Sequence, residues 1–265
     1  MQNSPSAMTA LQDPLAALRH ILPPHVQAGG GPIALLQRPL PAEERATLLR
    51  ARGGRIADFT AGRSAARDAF AELGLFNVVL PRGKGGPPVW PEGHTGSISH
   101  ASGWALAVGA PLSACAAIGL DIETVKTDLD IGMIATRAER AQVTDNLAAR
   151  IFSAKEAAYK AQYPLTRRML DFPDVEITFH GARRSYSRDA GAVVITPFTA
   201  RILPALPPLC EEHPLEGMQV MALDMVISLV TLPPDLLAAC GPATPGHLPA
   251  WHTRLIRLLQ GLRRP

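Results

Sequence analysis

Ile118-Gly119-Leu120-Asp121-Ile122-Glu123 is the stretch on which the fold of this chain is read. Side chains alternate along a strand, so Ile118, Leu120 and Ile122 share one face while Gly119, Asp121 and Glu123 share the other. Two carboxylates therefore leave one face of an otherwise apolar segment, and they repel unless a cation lies between them. Carboxylate oxygens suit Mg²⁺, which is held by one or two protein carboxylates together with phosphate oxygens and water. Read without its neighbours, the same segment is more simply a strand end with solvated acids.

Just upstream, Gly96 to His100 and Trp104 to Val108 read as two further short strands, and Cys115 to Glu123 as the third. Trp104 to Leu120 carries no charge and approaches spanning length, but Gly109, Pro111, Ser113 and Gly119 interrupt it and Asp121 follows. Two buried strands and a turn account for it better than a membrane helix. Before these lies a Gly/Pro-rich loop from Pro81 to His94. Before that, a helix is expected over 62–74, where Ala66, Ala69, Phe70 and Leu73 recur at helical spacing and Gly74 suits a C-terminal cap. Another helical pattern starts at Pro41, with Glu43, Glu44, Arg45 and Arg50 on its polar face. His25 to Gly31 reads as loop and Pro32 to Leu36 as a short strand.

Downstream, the Thr136-Arg137-Ala138-Glu139 signal leads into a long helix expected to end near Gln162, ahead of Pro164. Val175, Ile177 and Phe179 alternate as a strand, as do Ala192 to Ile195 and Val220 to Leu229. Pro204 to Pro214 reads as a loop. Trp251, Leu255, Leu258, Leu259 and Leu262 form an amphipathic helical stripe. Helices and strands mixed with long loops make the class α+β.

The 265 residues suffice for one large or two small domains, and 47% hydrophobic with 18% charged residues is a globular composition. Cys115, Cys210 and Cys240 form no Cys-x-x-Cys pair, which excludes a disulfide framework and a zinc knuckle. No Lys or Arg precedes Arg19, so a secretory signal is not expected, and the reducing cytoplasm is the expected compartment. A formal net charge of +3 favours an anionic ligand only weakly. Of 26 basic residues only Lys84, Lys126, Lys155 and Lys160 are lysines, so a Lys marks a place where a compact ammonium fits better than a guanidinium.

Two of those lysines fall in Phe152-Ser153-Ala154-Lys155-Glu156-Ala157-Ala158-Tyr159-Lys160. Ser153 and Glu156 spell a capping box, yet Ala148, Ile151 and Phe152 imply that the helix is already running. Glu156 and Lys160 then share a face one turn apart, either as an ion pair or as a metal ligand beside a phosphate cation. Lys155 points about 100° away from Glu156. Arg63 and Arg67 share a face at the start of the helix expected over 62–74, where the macrodipole disfavours cations. An anion between them, or ion pairs to Asp68 or Glu72, resolves that conflict.

These segments, with Gly62-Arg63-Ser64-Ala65-Ala66-Arg67, Trp90-Pro91-Glu92-Gly93 and Gly96-Ser97-Ile98-Ser99-His100, stand in an order that resembles the Sfp-type 4′-phosphopantetheinyl transferases. The resemblance is greatest to the branch of the enterobactin synthase component D and spans about Gly62 to Val175. It implies two similar α/β halves packed as an intramolecular pseudodimer, over 1–120 and 121–265, with the active site at their interface. It implies Mg²⁺-dependent transfer of 4′-phosphopantetheine from coenzyme A to a serine of an apo acyl, peptidyl or aryl carrier protein, releasing adenosine 3′,5′-bisphosphate. The service would be to siderophore, polyketide, nonribosomal peptide or fatty-acid assembly, by a monomer that binds no nucleic acid and does not insert stably in a membrane.

Carried over by motif, Asp121, Glu123 and Glu156 are implied as Mg²⁺ ligands, with Glu156 and Lys160 catalytic. Arg63, Ser99, His100, Lys155 and Lys160 are implied as coenzyme A contacts. The branch often carries a basic residue just before the Pro of Pro88-Val89-Trp90-Pro91. Gly85, Gly86 and Pro87 stand there instead, which moves that contact to Arg82 or Lys84. A Mg²⁺-dependent phosphodiesterase or nuclease would use the same acids without a carrier. A non-catalytic basic binding protein would need no metal and would show steep salt dependence.

Overall fold

The computed structural model describes residues 13–48, 53–83, 86–126, 129–142, 144–187, 191–207, 209, 214–222 and 224–236. The amphipathic stripe around Trp251 and the candidate Lys84 lie outside them. Two antiparallel sheets form the frame. In the first, β1 (Gln27–Pro32), β3 (Trp104–Pro111) and β2 (His94–Ala101) lie in that order. In the second, β4 (Ala117–Thr124) is followed by β9 (Met225–Leu232), β8 (Leu215–Ala222), β7 (Gly191–Ile202) and β5 (Val175–Phe179), and β6 (Arg183–Ser187) also pairs with β7.

One long helix covers each sheet. α3 (Gly53–Glu72) sets Ala61, Ala65, Ala66 and Phe70 against Ala105 and Ala107 of β3. α6 (Leu147–Thr166) sets Ala154, Ala157, Ala158 and Ala161 against Val230 and Leu232 of β9. The two uncovered sheet faces bury each other: Ala28, Leu106 and Val108 meet Ile118, Leu120, Ile122, Ile227 and Leu229, joined by α1 (Pro14–Arg19). The layers thus run helix, sheet, sheet, helix, as expected for two packed α/β halves. The chain crosses between the sheets over residues 112–116. No described helix is long and apolar enough to cross a membrane.

Both helices rest directly on a glycine. A Cβ on Gly29 would lie 2.3 Å from the Ala65 carbonyl oxygen, and one on Gly119 would lie 1.9 Å from the Ala157 carbonyl oxygen. No side chain fits either position, and this is why strand β1 is the glycine-rich Gln27–Pro32. The expectation of loop over 25–31 and strand over 32–36 is corrected: Ile33–Leu35 is a 3₁₀ turn. Low strand propensity yields here to the close approach of a helix.

Three further corrections concern helices. α3 starts at Gly53, nine residues before Gly62, so the Arg63/Arg67 pair is interior to it. Thr136 and Glu139 do form a capping box, but it caps the one-turn α5 (Arg137–Arg140), which a short α4 (Ile131–Ile134) precedes. α6 begins only at Leu147 and runs through Pro164 to Thr166. The proline forfeits one intrahelical hydrogen bond; packing holds the last turn, with Tyr163 against Tyr159 at 5.7 Å between ring centroids. Arg167, in the left-handed region, caps the end by donating to the Tyr163 carbonyl at 3.0 Å.

The halves also meet edge to edge. Among the described residues β4 has β9 on one side only, which leaves backbone N–H groups on the other. Serines of β2 satisfy them: Ser97 Oγ accepts from Leu120 N at 3.0 Å and Ser99 Oγ from Ile122 N at 3.4 Å.

Candidate active site

Because Gly119 faces α6, so do Asp121 and Glu123, two and four residues along the same strand. Both carboxylates are buried. From α6, Lys160 reaches over and donates to Asp121 Oδ1 at 2.8 Å, Leu120 O at 3.0 Å and Ser99 Oγ at 3.1 Å. Ser99 in turn donates to Asp121 Oδ1 at 2.9 Å. Glu123 Oε1 accepts the Thr124 N–H at 2.8 Å. Glu156, one turn before Lys160, is half-buried. Burial lifts its carboxyl to about 7, opposed by Lys160 and assisted by Asp121 and Glu123.

The ammonium of Lys160 thus faces three carboxyl groups, and Glu156 eases their mutual repulsion by holding its proton near neutrality. A divalent cation would relieve it instead. Asp121 Oδ2 is buried and has no hydrogen-bond partner, an oxygen left open where a metal would sit. Among the described residues no three His, Cys, Asp or Glu side chains converge as a ready-made cage. Mg²⁺ fits the donor set nonetheless, since it takes few protein carboxylates and completes its shell with phosphate and water.

Lys155 is not brought to this cluster. Its Nζ donates to Phe172 O at 2.7 Å, Ile134 O at 2.9 Å and Glu139 Oε2 at 2.9 Å, so all three protons are used in the interior. Burial lowers its pKa, and the contact with Glu139 opposes that. Glu139 is fully enclosed and also accepts from Thr136 N at 2.6 Å and Ile177 N at 2.7 Å. The sequence marks Glu139 only as a capping residue.

The arginines gather elsewhere, around Glu44, a fully buried residue of α2 (Ala42–Arg45). Arg67 Nη1 donates to both Glu44 oxygens, at 2.9 and 3.0 Å, and Leu80 N donates to Oε1 at 2.7 Å. Neither Asp68 nor Glu72 takes Arg67; Asp68 pairs with Arg38 at 2.5 Å. Nothing in the sequence singles out Glu44 from Glu43. Arg63 is buried, donates from Nε to Leu80 O at 2.7 Å and lies over the Phe59 ring at 4.4 Å. Burial pushes its guanidinium down to about 10; Glu44 opposes this, and nearby Arg67 and Arg82 add to it. Arg82 is exposed. Since α3 starts at Gly53, no helix terminus supports an anion at Arg63, and its cationic company is Arg67 and Arg82. His100 is exposed near the end of β2, next to Ser99.

Residues 43–110 match the family model of the 4′-phosphopantetheinyl transferase N-terminal domain, and residues 117–204 match that of the 4′-phosphopantetheinyl transferase superfamily. Three curated proteins are similar to the chain. They are the 4′-phosphopantetheinyl transferases Npt of Nocardia iowensis (38% identical, 52% of this chain), PptT of Mycobacterium tuberculosis (37%, 53%) and Svp of Streptomyces mobaraensis (36%, 61%). The matched region spans 65% of the length of each relative.

Proposed function

The chain belongs to the 4′-phosphopantetheinyl transferase superfamily, and from that premise we propose that it transfers 4′-phosphopantetheine from coenzyme A to a serine of an apo carrier protein. The observation that carries this reading is the cluster at the junction of the halves: Asp121, Glu123 and Glu156 about Lys160, with one oxygen of Asp121 open. The serine hydroxyl attacks the phosphorus that bears the pantetheine arm. The pyrophosphate bridge breaks, and adenosine 3′,5′-bisphosphate leaves.

Asp121, Glu123 and Glu156 would hold Mg²⁺, which when bound neutralises charge on the pyrophosphate. Glu156 accepts the serine proton directly or through water. Lys160 stabilises negative charge on the leaving phosphate. Arg63, Arg82, Lys84 and His100 form the candidate set for the 3′-phosphate and pyrophosphate, and the gathering of Arg63, Arg67 and Arg82 supports an anion there. Lys155 lies outside that set, its three protons engaged in the interior away from the cluster, and Ser99 donates its one proton to Asp121.

Within the superfamily the motifs favour the branch of the enterobactin synthase component D. The carriers served would be those of siderophore, polyketide, nonribosomal peptide or fatty-acid assembly lines. The buried Cys115 thiol is consistent with a reducing cytoplasm. A monomer that binds no nucleic acid and does not insert stably in a membrane completes the reading. A carrier-independent phosphodiesterase or nuclease lacks support, as the matches above are all transferases.

The test is incubation with coenzyme A, Mg²⁺ and a panel of apo carrier domains, read by intact mass. One carrier gaining a single phosphopantetheinyl group is the expected result. Consumption of coenzyme A with no carrier modified would overturn the reading.

A further inference from the structure

We infer that Ser99 is a positioning residue for Asp121, setting from the N-terminal half which carboxylate oxygen the C-terminal half offers to a cation. This rests on the metal assignment proposed above. A hydroxyl has one proton and two lone pairs. Ser99 Oγ spends the proton on Asp121 Oδ1 (2.9 Å), and accepts from Lys160 Nζ (3.1 Å) and from the Ile122 N–H (3.4 Å). It is buried, and its one hydroxyl proton lies on Asp121. The motif resemblance implied Ser99 as a coenzyme A contact; the geometry gives it different work.

That work has a definite outcome at Asp121. Oδ1 receives two donors, Ser99 and Lys160, whereas Oδ2 is buried and receives none. One oxygen is pinned, so the carboxylate cannot rotate freely, and the other stays open as a single ligand. Ser99 grips the main chain of Ile122 with the same oxygen, which ties the orientation of the carboxylate to the β2–β4 junction. Groups that orient a metal ligand in this way are worth roughly 10- to 100-fold in metal affinity.

Ser97 supplies a control. It stands two residues earlier on the same face of β2 and accepts the Leu120 N–H at 3.0 Å, a contact with the backbone of β4. Ser97→Ala removes a comparable bond between the halves and leaves Asp121 held.

The experiment measures Mn²⁺ binding to the full chain with saturating coenzyme A, from the electron paramagnetic resonance signal of free Mn²⁺. It also measures coenzyme A binding in EDTA by calorimetry, for wild type, Ser97→Ala and Ser99→Ala. The expected result is a Mn²⁺ Kd about 10- to 100-fold weaker in Ser99→Ala, with Ser97→Ala within about twofold of wild type. Coenzyme A Kd in EDTA should be unchanged in both. If Ser99→Ala does not fold, Ser99→Cys takes its place, keeping the volume but donating weakly, with a shift in the same direction. A wild-type Mn²⁺ Kd in the Ser99 variant overturns the inference alone. So does an equal loss of coenzyme A affinity in EDTA, which would make Ser99 a ligand contact. Absence of Mn²⁺ binding by wild type overturns the metal assignment itself, and the inference with it.

Discussion

Lys155 and Lys160 lie five residues apart in one motif, and the structure separates their roles enough to be read in two independent assays. Lys155→Ala strips the donor from Ile134 O and Phe172 O and leaves Glu139 enclosed without its cation. Removing one partner of a buried pair costs roughly 3–5 kcal/mol. Glu139 keeps the Thr136 and Ile177 N–H groups, which places the loss near the lower end. At about 2–4 °C per kcal/mol for a chain of this size, the melting midpoint should fall by roughly 6–12 °C. Lys160 is 26% exposed at its side chain, and without it Asp121 keeps the Ser99 hydroxyl as a donor. Lys160→Ala should therefore lose at most about 1.5 kcal/mol. Its activity should fall by about 10²- to 10³-fold, the usual effect of deleting one donor aimed at developing charge. The assays are calorimetric melting in EDTA and phosphopantetheine transfer to an accepted carrier, run well below both midpoints. A Lys155→Ala protein that melts like wild type yet transfers as poorly as Lys160→Ala would show this assignment of roles to be wrong.

Four further outcomes follow from the same contacts. Asp121→Ala should remain folded and lose at least about 100-fold in transfer rate, since it removes the open ligand; near wild-type rates would end the metal assignment. Gly119→Ala should lower the midpoint by roughly 6–12 °C, from about 3 kcal/mol of overpacking, because its Cβ meets the backbone of α6 and not a movable side chain. With Glu156 raised to about 7, the metal-free folded state holds a proton that the unfolded chain has already released, so stability should decline as pH rises from about 4.5 to 7 and level off above; Glu156→Gln, melted in EDTA across that window, should flatten the decline. Wild type should prefer coenzyme A over its 3′-dephospho form by roughly 10- to 150-fold, and at least one of Arg63→Ala, Arg82→Ala, Lys84→Ala and His100→Ala should lose that preference; if all four keep it, the anion site lies elsewhere.

Most of the site was legible because its chemistry is local in sequence. Alternation in Ile118 to Glu123 placed Asp121 and Glu123 on one face, and helical spacing placed Glu156 one turn from Lys160. The illegible residues depend on distant partners. Glu44 meets Arg67 and Leu80, and Glu139 meets Lys155 and Ile177, contacts that no spacing rule encodes. Strand β1 is illegible for a similar reason: its glycines argue against a strand, and only the helix lying on Gly29 accounts for them. The start of α3 was missed because Gly53 and Gly54 carry no helical signal and tertiary packing supplies it.

The two glycine contacts also explain why a molecule built of two like halves has its acidic cluster in one of them. On Gly29 lie Ala65 and Ala69, and on Gly119 lie Ala157 and Ala161, the same four-residue step. Setting those contacts equal sets Arg63 beside Lys155, each two residues before the first alanine, and both are buried. Each half also encloses one glutamate from a one-turn helix, Glu44 or Glu139, which accepts a backbone N–H from Leu80 or Ile177. The basic residue at this helix position is thus interior in both halves, which is why Lys155, though part of the motif, does not reach the cluster. The same alignment sets Gly31 against Asp121, Ser64 against Glu156 and Asp68 against Lys160. The N-terminal half has the scaffold of a site without its carboxylates or its ammonium. What it contributes is Ser99, delivered across the junction by β2, so the cluster can form only where the two unlike halves meet.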